Sequence, residues 1–247
     1  MSTYVLVHGS WHGGWCWRAV AAELRRHGDE VFTPTLSGCA ERFHHASDQV
    51  GLQTHVRDIT DLLFFEDLTE AVLVAHSYAG LIAQAVVERC APRLAAVIYL
   101  DAYVLQPGQK GFDLWSPARR EEAAKSIAGG DPYRKPFSPS MLGIDDPELA
   151  AWVAQRLTPH PLLTYAETIG PETNQTAQVP RSYIHCTEGP IAATFDAIAS
   201  ALQTRGWPIE RLRAPHDAML TNPVELARML RTVASGLAGS TATLPRF

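Results

Sequence analysis

Six short apolar runs, separated by amphipathic stretches, constrain this chain more than any other feature. "YVLVHG" (4–9), "EVFTPT" (30–35), "AVLVAH" (71–76), "AAVIYLDA" (95–102), "RSYIHC" (181–186) and "IERLRA" (209–214) read as strands. "AVLVAH" is almost wholly apolar, as a strand covered on both faces should be. Segments of helical spacing lie between the runs. "WRAVAAELRRHG" closes on Gly28, "THVRDITDLLFFEDL" sets Val56, Ile59, Leu62 and Leu63 on one face, and "LIAQAVVERC" follows the third run. Asn222 and Pro223 start a last helix, "VELARMLRTVASGL". This alternation predicts an α/β fold of about six mainly parallel strands with helices on both faces.

The rhythm breaks once. Residues 105–180 hold ten of the chain's 17 prolines, the short helical fragments "SPARREEAAKSIA" and "DPELAAWVAQRL", and no run of strand character. A structureless insertion of that length is uncommon in a compact domain. The segment is therefore expected to form a helical lid over the carboxyl edge of the sheet, where α/β proteins place their sites. The expected organisation is a core of residues 1–104 and 181–247 with a lid of 105–180. The tail "GSTATLPRF" is expected to fray.

Charge and composition work mainly by exclusion. A net charge of -5 and a pI near 6.0 give no basic surface for nucleic acid or an anionic membrane. No apolar run approaches the ~20 residues needed to span a bilayer, and "MSTYVLVHGS" lacks the basic and apolar regions of a signal peptide. Cys16, Cys39, Cys90 and Cys186 are scattered without ligand spacing and read as reduced thiols, so a cytoplasmic protein is expected. "ERFHH" (41–45) clusters imidazoles but has no second cluster at ligand spacing, so no metal is expected. Oligomeric state is not legible, and a homodimer stays open.

At the end of the third run, "AHSYAG" places Ser77 between a strand and a helix. A serine hydroxyl is a weak nucleophile until a base takes its proton, and the base needs an orienting acid. On a strand–helix elbow the serine projects from the sheet, and the flanking positions two residues away must be small. Ala75 and Ala79 meet that need with one methyl more than glycine, and Gly80 follows. "RLRAPHDAML" puts His216 just after the last strand candidate, in a loop that returns toward the elbow. "VHGSWHGGWCW" follows the first strand, so the backbone N–H of Ser10 and that of Tyr78 are the candidate oxyanion donors. His12 and Trp115 are the pocket candidates, weighed against plain aromatic packing.

"VLVHGSWHGGWCW", "AHSYAG" and "HDAML" together resemble the α/β-hydrolase superfamily, most closely the branch holding plant methylesterases, hydroxynitrile lyases and small bacterial esterases. The resemblance implies an α/β-hydrolase fold and a cofactor-independent Ser-His-acid triad. In the plant methylesterases the acid is an aspartate after the penultimate strand. Gly189 stands there in this chain, with Glu188 one place earlier. Other members carry the acid after the strand that follows the nucleophile helix, which corresponds to Asp101 here. An aspartate ending an apolar strand also needs a partner. Asp101 is therefore taken as the acid and Glu188 as the alternative. The lyases carry a threonine and a lysine where this chain has Gly9 and Asp217, which counts against cyanohydrin chemistry. The expected activity is hydrolysis of a small, largely apolar carboxylic ester. A lyase or cyclase using the same triad, or a non-catalytic receptor on the same fold, remain the alternatives.

Overall fold

The structure, a computed structural model, describes residues 1–170 and 177–241. Six strands form one sheet: β1 (Thr3–Val7), β2 (Glu30–Phe32), β3 (Ala71–His76), β4 (Leu94–Leu100), β7 (Arg181–Cys186) and β8 (Ile209–Leu212). Their order is β2-β1-β3-β4-β7-β8, and every pairing is parallel. Two two-residue strands, β5 (Tyr133–Arg134) and β6 (His160–Pro161), form a separate antiparallel pair. They are too short to carry an alternating pattern, which is why residues 105–180 show no strand character in sequence.

Side-chain alternation divides the sheet between two apolar clusters. Val5, Leu73, Ala75, Val97 and Tyr99 point to one face, where they meet helices α2 (Leu52–Phe65), α3 (Ala79–Cys90) and α6 (Ala192–Thr204). Tyr4, Leu6, Val72, Val74, Ile98 and Leu100 point to the other, against α1 (Arg18–Arg26), the short α7 (Ala218–Thr221) and α8 (Pro223–Thr241). Both faces are covered, so β3 has no polar side to show until His76. Helix α6 has no counterpart among the segments read above. Its buried residues Phe195, Ala199 and Leu202 do follow helical spacing, so the pattern was present in the sequence.

Residues 105–180 carry α4 (Pro117–Ala128) and α5 (Pro147–Ala154), capped by the side chains of Ser116 and Asp146. Trp115, Ala123, Leu162 and Tyr165 pack into the same cluster as α2 and α3, so this segment shares the core beneath it. In the tail expected to fray, 239–241 continue α8, and 242–247 lie outside the described residues. No helix among the described residues is long and apolar enough to cross a membrane.

Candidate active site

The serine sits where β3 ends and α3 begins. Ser77 has φ +55°, a left-handed conformation that side chains such as serine rarely adopt. Three backbone hydrogen bonds hold it there: its N–H donates to Leu100 O (3.1 Å), and its carbonyl accepts from Tyr103 N (3.0 Å) and Gly80 N (3.1 Å). Ala75 and Ala79 are fully buried, and two nearby glycines have no room for a side chain. A Cβ on Gly80 would lie 2.0 Å from Tyr103 O, and one on Gly9 would lie 2.8 Å from Ser77 Cβ. Close approach of the β1 loop to Ser77 is therefore a property of Gly9.

Asp101 follows β4 at φ +42°, with its N–H continuing the ladder to Ile184 O (2.8 Å). The carboxylate is fully buried and takes three donors: His216 Nδ1 on Oδ2 (2.7 Å), and His185 Nδ1 (3.0 Å) and Cys186 N (3.1 Å) on Oδ1. Burial pushes the carboxyl pKa up, but the hydrogen bonds from His185 and His216 outweigh it and hold the group below its ordinary value. With an ionised acceptor on Nδ1, His216 keeps its Nε2 lone pair for the cavity. Phe195 stacks on its ring (4.6 Å, 19°), and His76 Nε2–H donates to its backbone carbonyl (3.0 Å). Glu188 is elsewhere: its half-exposed side chain lies 3.5 Å from the Arg213 guanidinium. His185, which shares Asp101 with His216, is not singled out by sequence, because a histidine inside a strand carries no signal of its own.

The loop after β1 is fixed from below. His8 Nδ1–H donates to Gly9 O (2.8 Å), and its Nε2 accepts from Leu36 N (3.1 Å). Burial pushes the His8 pKa down to about 3, so the ring stays neutral. His12, expected in the pocket, lies beneath it instead. Its Nδ1 donates to Ser10 O (2.8 Å) and its Nε2 lies 3.0 Å from Asp217 Oδ2, both side chains being buried. Burial lowers the His12 pKa, but Asp217 more than compensates and raises it; Asp217, raised by burial, is lowered by His12. A buried ion pair thus ties the Ser10 loop to the residue after His216. Ligand atoms of His76, His216 and Asp217 converge within 4.8 Å. His216 Nδ1, His76 Nε2 and Asp217 Oδ2 are held by Asp101, the His216 carbonyl and His12, while His76 Nδ1 and Asp217 Oδ1 have no hydrogen-bond partner among the described residues.

Ser77 and His216 face one cavity, with about 450 Å³ of empty space including its open mouth. Ser10, Trp11, Tyr103, Tyr165 and Phe195 also line it. Tyr78 is the N-cap of α3, where the N–H groups at the helix start have no partner within the helix. Ser10 Oγ hydrogen-bonds Tyr165 OH, and Arg134 Nη1 donates to the same hydroxyl (3.1 Å). Trp115 does not line this cavity. It packs on Tyr165 (4.7 Å between centroids) under Arg119 and faces an adjoining outer cavity. Arg119, Arg134 and Tyr165 have no local sequence signal, since they reach the site only through tertiary packing.

A parallel six-stranded sheet, a serine on a left-handed elbow after the third strand and a histidine–aspartate pair at later strand ends define the class of α/β hydrolases. The chain belongs to the alpha/beta hydrolase family, whose model matches residues 4–229. It is 34% identical over 241 residues to the carbendazim hydrolyzing esterase of Nocardioides sp. (strain SG-4G), covering 93% of this chain and 98% of that one. It is 26% identical over 260 residues to methylesterase 10 of Arabidopsis thaliana, covering 94% and 91%. Among solved structures, an extracellular alpha/beta-hydrolase from a Paenibacillus species shares the fold with a TM-score of 0.80. That pair is 21% identical and covers 94% of this chain and 99% of the other.

Proposed function

We propose that this chain is a cofactor-independent serine hydrolase that cleaves a small carboxylic ester with a largely apolar frame. The observation that carries the reading is the 2.7 Å contact of His216 Nδ1 with a buried carboxylate, Asp101, at the cavity that also exposes Ser77. It is an esterase-type enzyme, in keeping with relatives named as esterases along nearly its whole length. Ser77 Oγ attacks the ester carbonyl while His216 Nε2 takes its proton, and Asp101 stabilises the imidazolium. Backbone N–H groups of Ser10 and Tyr78 receive the developing oxyanion. His216 then returns the proton to the leaving alcohol, and water attacks the acyl-enzyme by the same route in reverse order. Residues 105–180 serve as the lid, and Trp11, Phe137, Leu142, Ile191 and Phe195 supply apolar walls. The cytoplasmic reading rests on four cysteines that are all free thiols.

Ser77→Ala tests the assignment. Turnover of p-nitrophenyl butyrate should fall by on the order of 10⁴-fold or more, with an unchanged circular dichroism spectrum. Retention of wild-type turnover would remove Ser77 from the mechanism.

A further inference from the structure

Two guanidiniums stand in the cavity with Ser77 and His216: Arg119 from α4 and Arg134 from β5. Arg134 lies over the rings of Trp11 (4.1 Å to the centroid), Phe137 (4.9 Å) and Trp115 (5.0 Å). Arg119 lies over Trp115 (4.4 Å) and Phe137 (5.4 Å). The two cations therefore share the same two rings. Among the described residues, no ion pair joins either of them to an aspartate or glutamate. Glu122 and Asp131 line the adjoining outer cavity, and both are exposed to water. Arg134 spends one N–H on Tyr165 OH and the Arg119 guanidinium meets the Tyr103 hydroxyl, but Arg119 Nη2 is buried with no hydrogen-bond partner among the described residues.

Like charges held together in a ring-walled cleft repel, and a buried donor without an acceptor bears its desolvation cost uncompensated. Both costs are relieved by one event, the entry of an anionic acceptor from the cavity. A guanidinium offers a planar fork that matches a carboxylate with two parallel hydrogen bonds. The rings around it suit an aromatic or apolar frame. The cluster is also local, since the chain as a whole carries a net charge of -5.

We propose that Arg119, flanked by Arg134, is a carboxylate-binding subsite, and that the substrate is an ester carrying a second, ionised carboxylate on its apolar frame. The proposal rests on the ester-hydrolase reading and adds the charge of the substrate. Arg119 is then the residue that sets specificity, through a group remote from the bond that breaks.

The test compares methyl benzoate with the monomethyl esters of terephthalic and isophthalic acid, which differ from it by one ring carboxylate. In the wild-type enzyme the better monoester should exceed methyl benzoate in kcat/KM by about tenfold or more. The preference should shrink with added salt. In Arg119→Gln the ratio should collapse toward one, while Arg119→Lys, which keeps the charge but not the fork, should retain part of it. A wild-type ratio near or below one, or the same ratio in wild type and Arg119→Gln, overturns the proposal. Should no ester be turned over, the hydrolase reading fails, and binding decides the subsite by itself. Calorimetric titration of the Ser77→Ala protein must then show tighter binding of a monoester than of methyl benzoate, and adding Arg119→Gln must erase the difference. Equal binding of the two overturns the subsite as well.

Discussion

Asp101 owes its contacts to where the backbone delivers it. Its left-handed φ turns the carboxylate back over β7, where three donors converge on two oxygens. Aspartate is one of the few side chains that tolerate this conformation readily. In Asp101→Asn the amide still fits, but it cannot accept from three donors as a carboxylate does, and it no longer favours the Nδ1-protonated tautomer of His216. Turnover is expected to fall by on the order of 10³–10⁴-fold, as loss of triad acids does elsewhere. Steady-state kinetics on p-nitrophenyl butyrate check this. Glu188→Gln serves as the contrast: it removes an exposed charge beside Arg213 and should leave kcat within about twofold, since exposed ion pairs contribute little. A larger effect from Glu188→Gln than from Asp101→Asn would exchange the two assignments.

At the scale of the element, the β3–α3 elbow depends on close passage of three backbone segments. Gly80 lies against residues 102 and 103, and Tyr103 N in turn donates to the Ser77 carbonyl. A methyl at position 80 meets a backbone oxygen at 2.0 Å, and a main-chain atom cannot swing aside as a side chain can. Gly80→Ala should therefore destabilise the fold by about 1–3 kcal/mol or more and shift Ser77 with the strand end. Thermal denaturation should show a lowered Tm and kinetics a lowered kcat. An unchanged Tm would mean that the segment after β4 can move away at little cost.

Over the whole molecule, histidine burial couples stability to pH. Seven of the ten histidines are buried: His8, His12, His55, His76, His160, His185 and His216. Burial pushes His8 and His76 from 6.5 down to about 3 and lowers His55 and His160 as well. For these four, the unfolded chain binds more protons than the folded one below pH 6.5. Their contribution is thus complete above that pH and is lost as pH falls toward about 3. Asp101 and Asp217, both held below 3.8, add to the loss at the acid end of the window. His12 has the opposite sign: its pKa is raised, so its contribution is complete below 6.5 and fades as pH rises through the raised value. The four lowered histidines outweigh it. The urea midpoint should fall steadily between pH 7 and pH 4, a loss of several kcal/mol in all. A flat midpoint across that range would show that these rings gain protons in the folded state.

By itself the sequence determined the sheet, its parallel sense and the two covered faces, because apolar runs and helical spacing are local properties of the chain. It also placed Ser77 at a strand–helix junction and His216 after the last strand, since both are positions along that pattern. Helix α6 was equally legible from the spacing of Phe195, Ala199 and Leu202. Tertiary structure alone decided which carboxylate meets His216, because Asp101 and Glu188 both follow strand ends and differ only in where their side chains turn. It also took His12 out of the pocket and into a pair with Asp217, and moved Trp115 behind Arg119. The two arginines in the Ser77 cavity belong to the same group: residues 119 and 134 reach it through packing of the segment between β4 and β7, and no local periodicity encodes that placement.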